Sequence, residues 1–212
     1  MIKTKEWAES HGIATQDVLP PVEDYDEPYK RTAEEIAVRT IILHAVAAAG
    51  HGVNREPIIE WFKNQSIWDQ VSPREKAFLL SRKPSRLMEE DRRGARWLQE
   101  AQWALLWTIQ KVESIGLPTK TCDTTRLAKE IMPGLGDDIQ PFISSARLRP
   151  APTLRAEDER VYKLHFEARQ AYELDAMPDD LVYGVSFQRY YAFEWLRGGD
   201  DWDDVKTNTM IN

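Results

Sequence analysis

Apolar positions recur along this chain with the spacing of helices. In the stretch from Arg92 to Val112, RRGARWLQEAQWALLWTIQKV, Leu98, Ala101, Leu105 and Ile109 share one stripe, and Ala104 and Leu106 widen it. Trp97, Trp103 and Trp107 add three of the chain's eight tryptophans. A helix apolar over so much of its circumference must be covered on several sides, so the pattern predicts a central helix. It should begin near Arg86 and be ended by Gly116, Leu117 and Pro118. Its charges, Arg92, Arg93, Arg96 and Glu100, crowd the first turns, and the acidic C-terminal region offers partners for Arg96.

The same reading predicts a first long helix over 31–49, with Ile36, Thr40, Leu43 and Ala47 on one stripe and Gly50 and Gly52 as its stop. Asn54 can cap a helix running through Trp61 and Phe62. Ser72-Pro73-Arg74-Glu75 is a capping box with proline at the first helical position, so a helix starts there and runs to about Leu80. Short helices are expected at 124–131 and 137–145, among several prolines and glycines. A long helix is expected from Leu154 to about Asp175, with Glu157, Asp158 and Glu159 near its positive end. A last helix, Leu181 to Arg197, is expected with Asp179 or Asp180 as cap and Gly198 and Gly199 as terminator. No strand alternation or repeat is visible. The pattern predicts an all-α fold, a single helical domain over 30–209 of about six to eight helices. Residues 1–29 read as an N-terminal arm, with a short helix over 4–10 and an extended, proline-bearing acidic segment after it.

Composition narrows the class. With 212 residues and 42 % hydrophobic content, the chain can bury a core without staples. One cysteine, Cys122, excludes an internal disulfide and a thiolate metal cage, and fits a reducing cytosol. The charged start MIKTKEWAES lacks an apolar signal core, and no apolar run is long enough to span a bilayer, so a cytoplasmic protein without membrane attachment is expected. The net charge of −7 argues against nucleic acid as a partner and for protein. Residues 72–96 hold eight Lys/Arg against four acids, whereas 157–204 hold thirteen Asp/Glu against five Arg/Lys. The two segments either pair within the fold, the favoured reading, or are offered to partners.

Candidate chemistry is sparse. Asp200, Asp201, Asp203 and Asp204 crowd the tail. Asp201, Asp203 and Asp204 are the weak candidates for a hard cation, although the glycine and bidentate Glu of an EF-hand loop are missing. Around Trp202 the same residues read equally as a turn with a packing anchor. His165, on the boundary of an apolar helix face, is a candidate general base or a hydrogen-bonded part of the core edge. His44 and His51 are a poor ligand pair because Gly50 intervenes. There is no HExxH, no G-x-S-x-G and no phosphate loop, and Cys122 lacks the basic surroundings of a reactive thiol. Arg96, Glu100, His165, Arg169, Arg189 and Glu194 fall in otherwise apolar segments. They read first as a polar network tying three helices together and second as a pocket for a small anionic or zwitterionic ligand. No cofactor is expected.

Several segments carry a resemblance. Ser72-Pro73-x-Glu75-x-x-Phe78-Leu79, Trp97-x-x-Glu100-Ala101-x-x-x-Leu105-Leu106-Trp107, Leu164-His165-Phe166-x-Ala168-Arg169-x-Ala171 and Gly184-Val185 to Trp195-Leu196 look like a family known as domain of unknown function 4272. Asp201-Trp202-Asp203-Asp204-Val205-x-Thr207-x-Thr209 resembles its C-terminal signature, and the similarity runs from about residue 30 to 209. The resemblance implies a predominantly helical, bacterial, cytosolic protein and supplies no activity. The chain departs from the family where Gln188-Arg189-Tyr190 replaces Glu-Arg-His, near Glu194 where the family tends to have Asn, and at Asn208 where it tends to have Asp. These departures lower the expectation of an enzyme. His165, Arg169, Arg189, Asp201, Trp202 and Asp203 keep the pattern and, with Arg96 and Glu100, are the expected binding residues.

The sequence thus points to a non-enzymatic binding protein, in one version neutralising a basic partner as immunity proteins do. The alternative is a hydrolase using His165 with Asp201 and Asp203, with or without a divalent cation.

Overall fold

In the computed structural model, which describes residues 29–83, 88–175, 177 and 181–207, Thr32 opens the first helix, α1 (Ala33–Gly50). Its hydroxyl accepts from the Glu35 amide while the Glu35 carboxylate accepts from the Thr32 amide, a reciprocal capping box. Every residue from Ile36 to Leu43 is buried, Arg39 included, so α1 is covered all round. Asn54 caps α2 (Arg55–Asn64), and Ser72 and Glu75 form the predicted capping box of α3 (Pro73–Leu80). Next come α4 (Glu89–Thr108), the short α5 (Thr124–Arg126) extended by a wider turn over Leu127–Ile131, and α6 (Gln140–Ser144). The long α7 (Ala151–Glu173) and α8 (Tyr183–Arg197) follow, and a single tight turn, Trp202–Asp204, closes the described chain. No strand occurs among the described residues, and none of their helices is long and apolar enough to cross a membrane.

The Trp-rich helix α4 lies between two others, with α1 on one side and α8 on the other, and α7 lies against α8. Fully buried Leu105 and Leu106 of α4 join Ile36, Ile41 and Leu43 of α1 in one core, each side chain contributing about 1.5–3 kcal/mol by leaving water. Two glycines permit the close approaches. A Cβ on Gly50 would stand 2.9 Å from the Arg92 carbonyl oxygen of α4, and one on Gly184 would stand 2.8 Å from the Trp97 ring. A second small cluster, Leu164, Ala168 and Leu181, packs with Leu117, Met177 and Tyr183 at the other end of α7.

Three helix ends differ from the expectation. The central helix stops at Thr108, well short of Gly116. Gln110 takes the left-handed conformation (φ 62°), Lys111 N–H bonds to the Leu106 carbonyl and Gln110 N–H to that of Trp107, so the exit is a Schellman motif without glycine. The helix expected from Leu154 begins at Ala151, because Pro152 falls in its first turn, where a missing N–H is no loss. Glu157, Asp158 and Glu159 therefore lie beyond that first turn and away from the strongest field of the helix dipole. The last helix begins at Tyr183, not Leu181, with no side-chain cap. The expected caps Asp179 and Asp180, the arm helix over 4–10 and Arg86 lie outside the described residues.

Candidate functional site

Four polar centres are built where helices meet. The first joins α4, α8 and the segment after α4. Glu100 is 2 % exposed and Arg189 4 %. Glu100 Oε2 accepts from Arg189 Nε (3.3 Å) and Nη2 (3.1 Å), and its Oε1 accepts from the Cys122 amide at 2.6 Å. Arg189 Nη1 donates to the Gly116 carbonyl at 3.0 Å. Gly116 has φ +74°, a conformation that favours glycine, and it presents that carbonyl to the guanidinium. Burial, and then the Glu100 charge, push the Cys122 thiol well above its ordinary pKa, so the thiolate is disfavoured.

The second centre surrounds His165. Its ring is 1 % exposed, stacks on Tyr190 (4.6 Å between centroids, 12° between planes) and meets Tyr183 and Phe187 at 5.7 and 5.8 Å. Its Nδ1 lies 3.4 Å from the Ser186 hydroxyl. Burial, helped by the positive charge of Arg169, lowers its pKa to about 4, so the imidazole is neutral at pH 7.

The third centre anchors the tail. Trp202 is buried, with its ring edge-on to Tyr191 and Trp195 and under the Arg39 guanidinium, 4.9 Å from the ring centroid. Arg39 in turn forms a buried ion pair with Glu75. Asp203 Oδ1 accepts from the Ser72 hydroxyl and Oδ2 from the Arg74 amide, each at 2.8 Å. Asp203 thus serves the positive end of α3 from the far end of the sequence.

The fourth centre was not among the expected sites. Asp158 is 3 % exposed. Its Oδ2 accepts from the Tyr29 hydroxyl at 3.1 Å and lies 3.5 Å from Arg197 Nε, while Arg197 is also paired with Glu194. Its Oδ1 has no hydrogen-bond partner among the described residues. Desolvation, opposed by Arg197 and the Tyr29 hydroxyl and assisted by Glu194, raises the Asp158 pKa to about 6. The signal was present in the sequence. Leu154, Asp158, Val161 and His165 recur at helical spacing, so Asp158 falls on the apolar stripe of its helix while Glu157 and Glu159 flank it.

The charged residues grouped in the sequence therefore belong to separate centres. Arg189 and Glu100 meet each other. Arg169 pairs with Glu173 on the same helix, and Glu194 with Arg197. Arg96 corrects the expectation of an acidic C-terminal partner. It pairs with Glu89 of its own helix and donates to the Gly50 carbonyl, serving the end of α1, whose last turn has no cation of its own. His44 and His51 also part company, with His51 bonding to Gln99 while Gln102 stands beside His44. Asp200, Asp201 and Asp204 are exposed. No group of three or more His, Cys, Asp or Glu among the described residues is placed to hold a metal ion. The recess between Arg160, Ser186, Arg189 and the 115–118 segment has room for about one water molecule.

The architecture is that of an all-α domain in which the buried pairs Arg39–Glu75 and Glu100–Arg189 tie helices to one another. The chain belongs to the family described as Domain of unknown function (DUF4272), whose model matches residues 2–205. That span takes in the N-terminal arm as well as the helical part. No curated protein and no solved structure matches the chain.

Proposed function

We propose that this protein acts by binding another protein, and that its contact face is the C-terminal end of α7. The observation that carries the reading is Tyr172 and Leu174, which are 60 % and 77 % exposed and alternate with the exposed acids Glu173 and Asp175. Tyr172 stacks on Tyr183, with centroids 4.7 Å apart. An exposed, ring-stacked tyrosine beside a leucine and two carboxylates suits a partner with an apolar pocket and a basic rim. The net charge of −7 favours the same class of partner through steering. Cytosolic action and an immunity-like, neutralising role belong to this reading as its narrower form.

The hydrolase reading has less to support it. His165 is enclosed by rings, with a depressed basicity, and both oxygens of Asp203 are engaged at α3. Thermal melting with Mg²⁺, Mn²⁺ or Ca²⁺ at saturating levels tests its metal-dependent form, since binding to the native state must raise the midpoint. For the binding reading, a photo-crosslinking side chain is placed at Tyr172 and, as a control, at Val53, another exposed apolar position. A basic protein crosslinked from position 172 alone, in a complex that weakens with salt, is the expected result. Equal crosslinking from both positions, or none, overturns it.

A further inference from the structure

Just before α7, at the other end of that helix from Tyr172, three cations gather where α4 and α6 end. The Arg149 N–H bonds to the Thr108 carbonyl at 2.9 Å, which sets the segment against the exit of α4. The Arg149 side chain is engaged there as well. Its guanidinium lies over the Trp107 ring (4.7 Å to the centroid), Nε donates to the Trp107 carbonyl at 2.7 Å and Nη2 to that of Val112 at 2.8 Å. The last turn of α4 has no basic residue of its own, so Arg149 is the cation at its negative end.

Lys111 and Arg147 are placed differently. Lys111 is half-buried, and its Nζ donates to the Ser145 hydroxyl at 2.7 Å and lies 4.7 Å from the centroid of the Phe142 ring. Arg147 is exposed and donates twice through Nη1, to the Ser144 and Ala146 carbonyls, each at 2.7 Å. These contacts hold each side chain by one edge and leave the other open. Nε and Nη2 of Arg147, the edge that grips an oxyanion with two parallel bonds, have no acceptor among the described residues. Lys111 has three donors and one bonded acceptor. Burial, and then the Arg147 charge, lower the Lys111 pKa, so the two cations bear on each other. No carboxylate among the described residues is paired with either, in a chain whose net charge is −7. Satisfying the end of α6 takes Nη1 of Arg147 alone, and it does not account for a second cation held beside the first.

We propose that Lys111 and Arg147 form a binding site for a phosphate dianion, free or carried by a small molecule as its monoester. The open edge of Arg147 takes two phosphate oxygens and the Lys111 ammonium takes a third, so two positive charges meet two negative ones. The arginine supplies the directed fork and the lysine a point charge. A phosphodiester, with one charge and two free oxygens, matches this pair less well. The site lies apart from the Tyr172 face and does not depend on it.

The test is isothermal titration calorimetry of the full chain at about pH 8, where a monoester is dianionic, with ionic strength held constant by NaCl. The probes are inorganic phosphate, phenyl phosphate and, as the monoanionic diester, dimethyl phosphate. The first two should bind saturably, the tighter of them telling free phosphate from monoester, and the diester should bind about tenfold more weakly or less. Lys111→Gln and Arg147→Gln should each weaken the binding about tenfold or more. Lys111→Arg, which keeps the charge, should retain most of it, and Arg93→Gln, at an exposed arginine elsewhere, should leave it unchanged. If Lys111→Gln does not fold, Arg147→Gln must still show the loss, because that side chain is exposed. No saturable heat up to about 10 mM of either dianion, equal binding of the diester, or an equal loss in Arg93→Gln each overturns the proposal.

Discussion

Arg189 and Arg197 stand about two turns apart on α8, and they meet their carboxylates in different ways. Arg189 has one carboxylate, Glu100, and the remaining contacts of both groups go to backbone: the Cys122 amide on one side and the Gly116 carbonyl on the other. The charges cancel and both carboxylate oxygens are occupied. Arg197 stands between Asp158 and Glu194, and one Asp158 oxygen has no donor among the described residues. A balanced buried pair resists change because any alteration strands a charge. A buried carboxyl with an oxygen left without a donor holds its proton more firmly instead. The first centre therefore works as a rivet between α4 and α8, and the second joins α7, α8 and Tyr29 around a carboxyl whose pKa burial raises.

The sharpest way to break this contrast is Glu100→Ala. It leaves the Arg189 charge buried without a counterion and the Cys122 amide without its acceptor, so denaturant unfolding should show a loss of about 3–5 kcal/mol. Asp158→Asn removes a carboxylate whose charge burial already disfavours, and at pH 7 it should cost clearly less. Equal losses from the two substitutions would erase the distinction.

Next in size is the dependence of stability on pH, where two buried groups oppose each other. The Asp158 pKa is raised from its ordinary 3.8 to about 6. Between those values the folded state binds more protons than the unfolded one, so stability from this group increases as pH falls from about 6 towards 3.8. The His165 pKa is lowered from 6.5 to about 4, so the unfolded state binds more protons there and stability is lost as pH falls through that window. Shifts of this size correspond to roughly 3 kcal/mol each, with opposite sign, so much of their sum cancels in the natural chain. Asp158→Asn should steepen the loss of stability on acidification, and His165→Phe should reduce or reverse it. Urea midpoints between about pH 4 and pH 7 read both slopes, and matching slopes in the two variants would contradict the assignment.

The packing of α8 on α4 can be tested without touching the charges of the rivet. A Cβ on Gly184 would stand 2.8–3.0 Å from atoms of the Trp97 ring, where α8 begins beside α4. A tryptophan ring cannot bend aside as a flexible chain end can, so Gly184→Ala should cost about 1–3 kcal/mol through overpacking. The same substitution at Gly94, which has nothing within 4 Å of the added Cβ, should stabilise or leave stability unchanged, because alanine is the better helix former.

How legible all this was in the sequence depends on the range of the interaction. The Ser72–Glu75 capping box, the Asn54 cap and the helical stripes rest on neighbours within a turn or so, and the structure has them where the pattern puts them. The early end of α4 was hidden because it turns on Gln110 taking a conformation usually signalled by glycine. Glu100 and Arg189 could be recognised as charges in apolar surroundings, but not as each other's partners across 89 positions. Asp158 was concealed by its neighbours: in the run Glu157-Asp158-Glu159 it reads as a solvated acid favoured by the helix dipole, and only its place on the stripe of Leu154 and Val161 marks it as buried. Asp203 needed the third dimension as well, because its role is set by a helix that begins at Pro73.

That last residue gives the smallest and most discriminating measurement. The tail aspartates are alike in sequence and unlike in place: Asp200, Asp201 and Asp204 are exposed, and Asp203 accepts from both the Ser72 hydroxyl and the Arg74 amide. Ser72 already accepts from the Glu75 amide, so Asp203 adds a charged acceptor to an end that is capped on its own. Asp203→Asn should therefore cost only about 1 kcal/mol, the order of a helix-terminal charge plus a charge-assisted bond. The same change at Asp200, Asp201 or Asp204 should stay within about 0.5 kcal/mol, as exposed substitutions do. If all four behave alike, Asp203 is not tied to α3 in solution and the tail acts as one acidic patch. If only Asp203 matters for folding, the other three carboxylates remain available to a basic partner, and their loss should weaken that association without changing the unfolding midpoint.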